Sequence, residues 1–63
     1  MAVTIERQIA CVERELRLRR RAYPRWVQSG RLAQHDADRE LAEMEAVLAT
    51  LRGLKAEAEP VML

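Results

Sequence analysis

Cysteine, phenylalanine and long apolar runs are scarce or missing in this sequence of 63 residues. A single cysteine, Cys11, excludes an internal disulfide. Together with the lack of a recognisable signal peptide, it sets the expectation of a reducing, cytoplasmic location. No apolar run approaches the roughly 20 residues of a membrane span, so no membrane partner is expected. No spacing of His, Cys, Asp or Glu matches a metal motif, no glycine-rich loop could cradle a phosphate, and no nucleophile stands in a recognisable catalytic setting. The expectation is a protein that is not an enzyme and holds no cofactor or metal.

With two prolines and two glycines in the whole chain, there are few places for it to turn. What remains is rich in Ala, Leu, Glu and Arg and poor in β-branched residues, a composition that favours helices throughout. One stretch holds the only Tyr and Trp, one of the prolines and one of the glycines: Tyr23-Pro24-Arg25-Trp26-Val27-Gln28-Ser29-Gly30-Arg31. Helical periodicity lies on both sides of it, so it reads as the corner of a helical hairpin.

Before the corner, Ile5, Ile9, Val12, Leu16, Arg19, Tyr23 and Trp26 step alternately by four and three residues. That heptad spacing puts all of them on one face of a helix. The one charged member, Arg19, can lay its aliphatic stem on the seam and extend its head outward. Thr4 is suited to cap the helix start, and Glu6 falls in the first turn, where the dipole favours it. The capping box is incomplete, because Arg7 stands where Glu or Gln would. The seam keeps its phase through Pro24, which predicts a helix over about 4–28 bent at Pro24. The alternative is a break at Tyr23, with Pro24 opening a short separate helix. Gly30 suits the left-handed position just past a helix end.

After the corner, Ala37, Leu41, Met44, Leu48, Leu51, Lys55 and Ala58 repeat the same steps. They predict a second helix over about 34–57, opened by Asp36, Asp38 and Glu40, weakened at Gly53 and stopped by Pro60. Residues 58–63 read as a tail, frayed or docked on another chain, with Val61-Met62-Leu63 its apolar end. The short connection makes the helices antiparallel neighbours. The fold class is therefore all-α, a two-helix hairpin forming a single domain over 1–63.

Charge is divided between the two halves. Residues 1–31 carry eight Arg against three Glu, and residues 32–63 carry three basic residues against seven acidic ones. If the turn centres near residue 32, residues whose numbers sum to about 63 face each other. Arg20 then faces Glu43, Arg17 lies near Glu45, and Arg25 faces the region of Asp38.

The corner motif Tyr23-Pro24-Arg25-Trp26-Val27, with Ser29-Gly30-Arg31 after it and an Ala-, Glu- and Met-rich helix ending Leu48-Ala49-Thr50-Leu51, resembles short uncharacterised proteins encoded by phages and prophages of proteobacteria. The likeness covers about residues 5–52. This chain departs from it at Ala33, where related sequences often place Ser or Thr. The resemblance implies an origin and carries no assigned activity. A looser architectural likeness is to Rop-type helical hairpins, which pair into a four-helix bundle and bind RNA.

Several residues are candidates for function, each with a structural alternative. Arg14, Arg17, Arg21 and Arg25 share a side of the first helix and could meet nucleic-acid phosphates, or pair with acids of the second helix. Tyr23 and Trp26 could stack a base or anchor a partner, or plug the closed end of the hairpin. Cys11 is more readily a small packing residue than a redox thiol. His35 with Asp36 and Asp38 does not make a metal site. A second apolar strip of Cys11, Leu18 and Ala22 on the first helix, with Val47 and Leu54 on the second, suggests a homodimer closed as a four-helix bundle.

The leading expectation is a phage accessory protein that binds a host or phage protein through Arg20, Arg21, Arg25 and Trp26. The alternatives are a Rop-like regulator that binds nucleic acid through Arg14, Arg17, Arg21 and Arg25, and a structural part of a larger assembly that uses the apolar tail.

Overall fold

The computed structural model describes residues 2–58. It contains two helices, α1 (Ile5–Gln28) and α2 (Gln34–Ala58), folded back on each other as an antiparallel hairpin. The chain is all-α, with no strand among the described residues. The expectations for Pro60 and for the apolar tail fall outside those residues. At its C-terminal end α2 runs one residue further than expected, to Ala58.

Thr4 caps α1 as its position suggested. Its backbone is extended (φ −65°, ψ 156°), and its hydroxyl oxygen accepts from the Arg7 amide at 3.2 Å. The helix then passes through Pro24 without a break, which excludes a separate helix starting there. The proline ring has no N–H to donate to the Arg20 carbonyl, so one helical bond is forfeited. The seam residues on either side hold the helix together.

The corner is a Schellman motif. Gly30 takes φ +83°. The Gly30 amide donates to the Val27 carbonyl at 3.1 Å, and the Arg31 amide donates to the Trp26 carbonyl at 2.8 Å. Ser29 Oγ and the Leu32 amide also donate to the Trp26 carbonyl. Orphan carbonyls at the end of α1 are thereby satisfied inside the turn. On the α2 side, the Ala33 carbonyl accepts the Asp36 and Ala37 amides. Ala33 has no side-chain acceptor with which to cap, and the first turn is steadied instead by Asp36, which pairs with Arg39 at 3.0 Å.

The core is one seam deep. Among the described residues Leu16, Tyr23, Ala37 and Leu48 are buried, and no polar or charged one is. Tyr23, Ala37 and Leu41 line one cavity near the corner. Tyr23 is thus the buried ring at that end. Trp26, expected to plug it as well, is 42% exposed and lies against Tyr23, with ring centroids 5.6 Å apart. Arg19 behaves as its seam position required. It is partly buried, donates to the Tyr23 hydroxyl at 3.3 Å, and reaches back to Glu15 at 3.7 Å.

Candidate interaction surfaces

A two-helix hairpin has two broad faces and two outer edges, and the charges are distributed unequally among them. On one face the helices are joined by two ion pairs, Arg20 to Glu45 at 2.6 Å and Arg52 to Glu13 at 2.7 Å. Both differ from the register expected for these charges. Val12 and Leu51 of the seam, whose numbers sum to 63, line one cavity together. Glu13 and Arg52 each follow one of these seam residues by a single position, so their sum rises to 65. The same step relates Arg20 and Glu45 to Arg19 and Met44. The rule of 63 thus applies to the seam and not to the flank beside it. Arg20 meets Glu45 and not Glu43. Among the described residues, Arg17 and Arg25 make no ion pair.

The opposite face has no cross-helix ion pair among the described residues. Cys11 and Val12 of α1 and Val47 and Leu51 of α2 line an apolar groove of about 480 Å³ there. Leu18, Val47 and Leu54 are 52%, 50% and 51% exposed. Cys11 is also exposed, and Ala22 is half-buried. The packing role expected of Cys11 is therefore not filled within one hairpin.

The outer edge of α1 is cationic. Counting from the seam, Arg7, Arg14, Arg17, Arg21 and Arg25 fall on the side of the helix turned away from α2. No acidic residue stands among them: Glu6, Glu13 and Glu15 lie toward the two faces. Arg14, Arg17, Arg21 and Arg25 are all exposed, and none makes an ion pair among the described residues. Arg14, Arg17, Leu18 and Arg21 line one shallow surface depression. At the helical rise, the row from Arg14 to Arg25 spans about 16 Å.

The two sets of arginines singled out in the sequence thus stand differently. Arg14, Arg17, Arg21 and Arg25 form one row with no ion pair among the described residues. Of the other set, Arg21 and Arg25 belong to this row and Trp26 is partly exposed near its end. Arg20 points to the bridged face and is held by Glu45. The sequence places these four on one side of the helix; what it set wrongly was the pairing of Arg17 and Arg25 with acids of α2, which neither makes among the described residues. The signal was available in the heptad, because positions directly flanking a seam meet the opposite helix and positions behind it do not.

His35 and Asp36 lie 3.4 Å apart, Asp36 also holds Arg39, and Asp38 accepts from the Gln34 amide group at 2.9 Å. These are contacts within the first turn of α2. Among the described residues no group of three His, Cys, Asp or Glu is placed to hold a metal ion, and no helix is long and apolar enough to cross a membrane. A comparison with family models, curated protein sequences and solved structures finds no match.

Proposed function

We propose that this protein is a non-enzymatic interaction module that binds an acidic protein surface through the outer edge of α1. The observation carrying this reading is the row Arg14, Arg17, Arg21 and Arg25. It is exposed, unpaired among the described residues and free of acids, while the arginines facing α2 are engaged. Guanidinium groups recognise carboxylates in a bidentate manner. Leu18 between them and Trp26 beyond them add the apolar and aromatic contacts of a protein hot spot. The corner motif's likeness to phage and prophage proteins supports an accessory role in a host cell, against a host or phage partner. The exposed, unpaired Cys11 suits the reducing cytoplasm that this implies.

A second reading, binding to nucleic acid, is favoured by the spacing of the row, which offers several cations to successive phosphates. The acidic character of α2 weighs against it, since six acids against three bases there would repel a polyanion that wrapped the hairpin.

Both readings are tested by capture from a host lysate with tagged wild-type protein and with the combined variant Arg14→Glu, Arg17→Glu, Arg21→Glu. The protein reading expects an acidic partner that survives nuclease and is lost with the variant. Recovery of RNA or DNA, weakening steeply as salt rises, would replace it with the nucleic-acid reading. Equal capture by wild type and variant would overturn both.

A further inference from the structure

The unbridged face is where one hairpin leaves its folding incomplete. Among the described residues only Leu16, Tyr23, Ala37 and Leu48 are buried, and a chain of about 60 residues is marginal alone. Yet Leu18, Val47 and Leu54 remain half exposed, with the groove of Cys11, Val12, Val47 and Leu51 on the same side.

We propose that this face is covered by a second copy of the chain, with the two-fold axis parallel to the helices. Each α1 then lies between its own α2 and the α2 of the other copy, and every neighbouring pair in the resulting four-helix bundle is antiparallel.

Charge decides between this arrangement and the one with the axis across the helices. α1 has seven Arg and three Glu, net +4, and α2 has six acids and three bases, net −3. An axis across the helices sets α1 beside α1 and α2 beside α2, like against like. An axis along the helices sets each α1 against two α2 helices.

The register within one hairpin then sets the register between copies to within about two residues. Rotation about an axis parallel to the helices leaves every residue at its own height. Residues level with each other inside one hairpin are therefore level between copies. In this chain the seam residues Val12 and Leu51 meet at a sum of 63 and the long side chains of Arg20–Glu45 and Glu13–Arg52 at a sum of 65, so level residues have numbers that sum to about 63–65. Applied across the dimer, the rule sets Leu18 against Val47 of the second copy and Cys11 against its Leu54. It also brings Arg25 to its Glu40 and Arg21 near its Glu43. Apolar residues meet apolar ones and arginines meet glutamates along one line. Arg14 and Arg17 stay on the outer edge, whereas Leu18, Arg21 and Arg25 of the surface assigned above to a foreign partner are taken up by the second copy. This inference does not rest on that assignment.

The test uses the full chain with Cys11→Ala as background. Chains carrying Leu18→Cys and chains carrying Val47→Cys are mixed and oxidised. The proposed arrangement yields a mixed disulfide dimer from the mixture and little from either chain alone. Self-linking of Leu18→Cys chains with no mixed product would overturn the axis. A single-chain mass for the untagged protein by sedimentation equilibrium at micromolar concentrations would overturn the dimer.

A second measurement uses no cysteine. Arg25→Glu chains and Glu40→Arg chains should each dimerise more weakly, by roughly tenfold, and mixing them should restore dimers, because opposite charges then meet only between copies. Within one chain, either substitution leaves like charges at both positions, so a failure of mixing to restore association would contradict the assigned contacts.

Discussion

At the scale of single residues, burial and not ion pairing holds the hairpin. The two cross-helix ion pairs are short, but their side chains are 53% and 54% exposed in one pair and 58% and 37% in the other. Water and salt reduce such a pair to about 1 kcal/mol or less. Leu16 and Leu48 are buried at the centre of the seam, and truncating a buried leucine costs about 2–5 kcal/mol. Denaturant unfolding at a fixed protein concentration should therefore show Leu16→Ala and Leu48→Ala losing at least about 2 kcal/mol. Glu45→Ala should lose less than about 1 kcal/mol. The reverse order would mean that charge sets the pairing of the helices. Seam membership was legible in the spacing of the sequence, and so was Arg19's place on it. The partners of Arg20 and Arg52 were not, because the offset between seam and flank depends on which side of the seam a residue follows. Trp26 was misjudged for a related reason. It lies on the seam by phase, but Tyr23 is the ring buried beside Ala37 and Leu41, and Trp26 rests on its outer side, 42% exposed.

At the scale of elements, each helix carries a glycine-related feature that can be tested separately. Gly30 adopts φ +83° in the Schellman turn, whereas Gly53 sits in the body of α2 with nothing within 4 Å of an added Cβ. Alanine in a left-handed position is strained, while alanine in an exposed helix interior restricts the unfolded chain and favours the helix. Gly53→Ala should raise stability by about 1 kcal/mol, and Gly30→Ala should lower it by about 1–2 kcal/mol. Thermal unfolding followed by circular dichroism measures both, and a gain from Gly30→Ala would contradict the Schellman turn. These elements were the most legible part of the chain, because caps, heptad phase and glycine agree. The continuity of α1 through Pro24 was less so. Proline by itself suggests a boundary, and only the unbroken phase of Tyr23 and Trp26 argues otherwise.

At the scale of the molecule, the extents are 51 × 24 × 17 Å, and the shortest falls short of two helix diameters with side chains, about 20–24 Å. The hairpin is a single layer, whereas stable domains set at least two layers around a core. One face is closed by ion pairs, one edge is a row of unpaired arginines, and the remaining face is apolar. The division of charge between halves was plain in the sequence. Its consequence was not, because separating the arginines used inside the hairpin from those left outside requires the register. The account turns on whether the second layer is another copy of the chain. The most direct measurement is the thermal unfolding midpoint of the unmodified protein over about a hundred-fold range of concentration. A dimer that completes the core makes the midpoint rise with concentration. A midpoint that stays constant across the range would mean that the single hairpin is the folded unit and that its apolar face is left for something else.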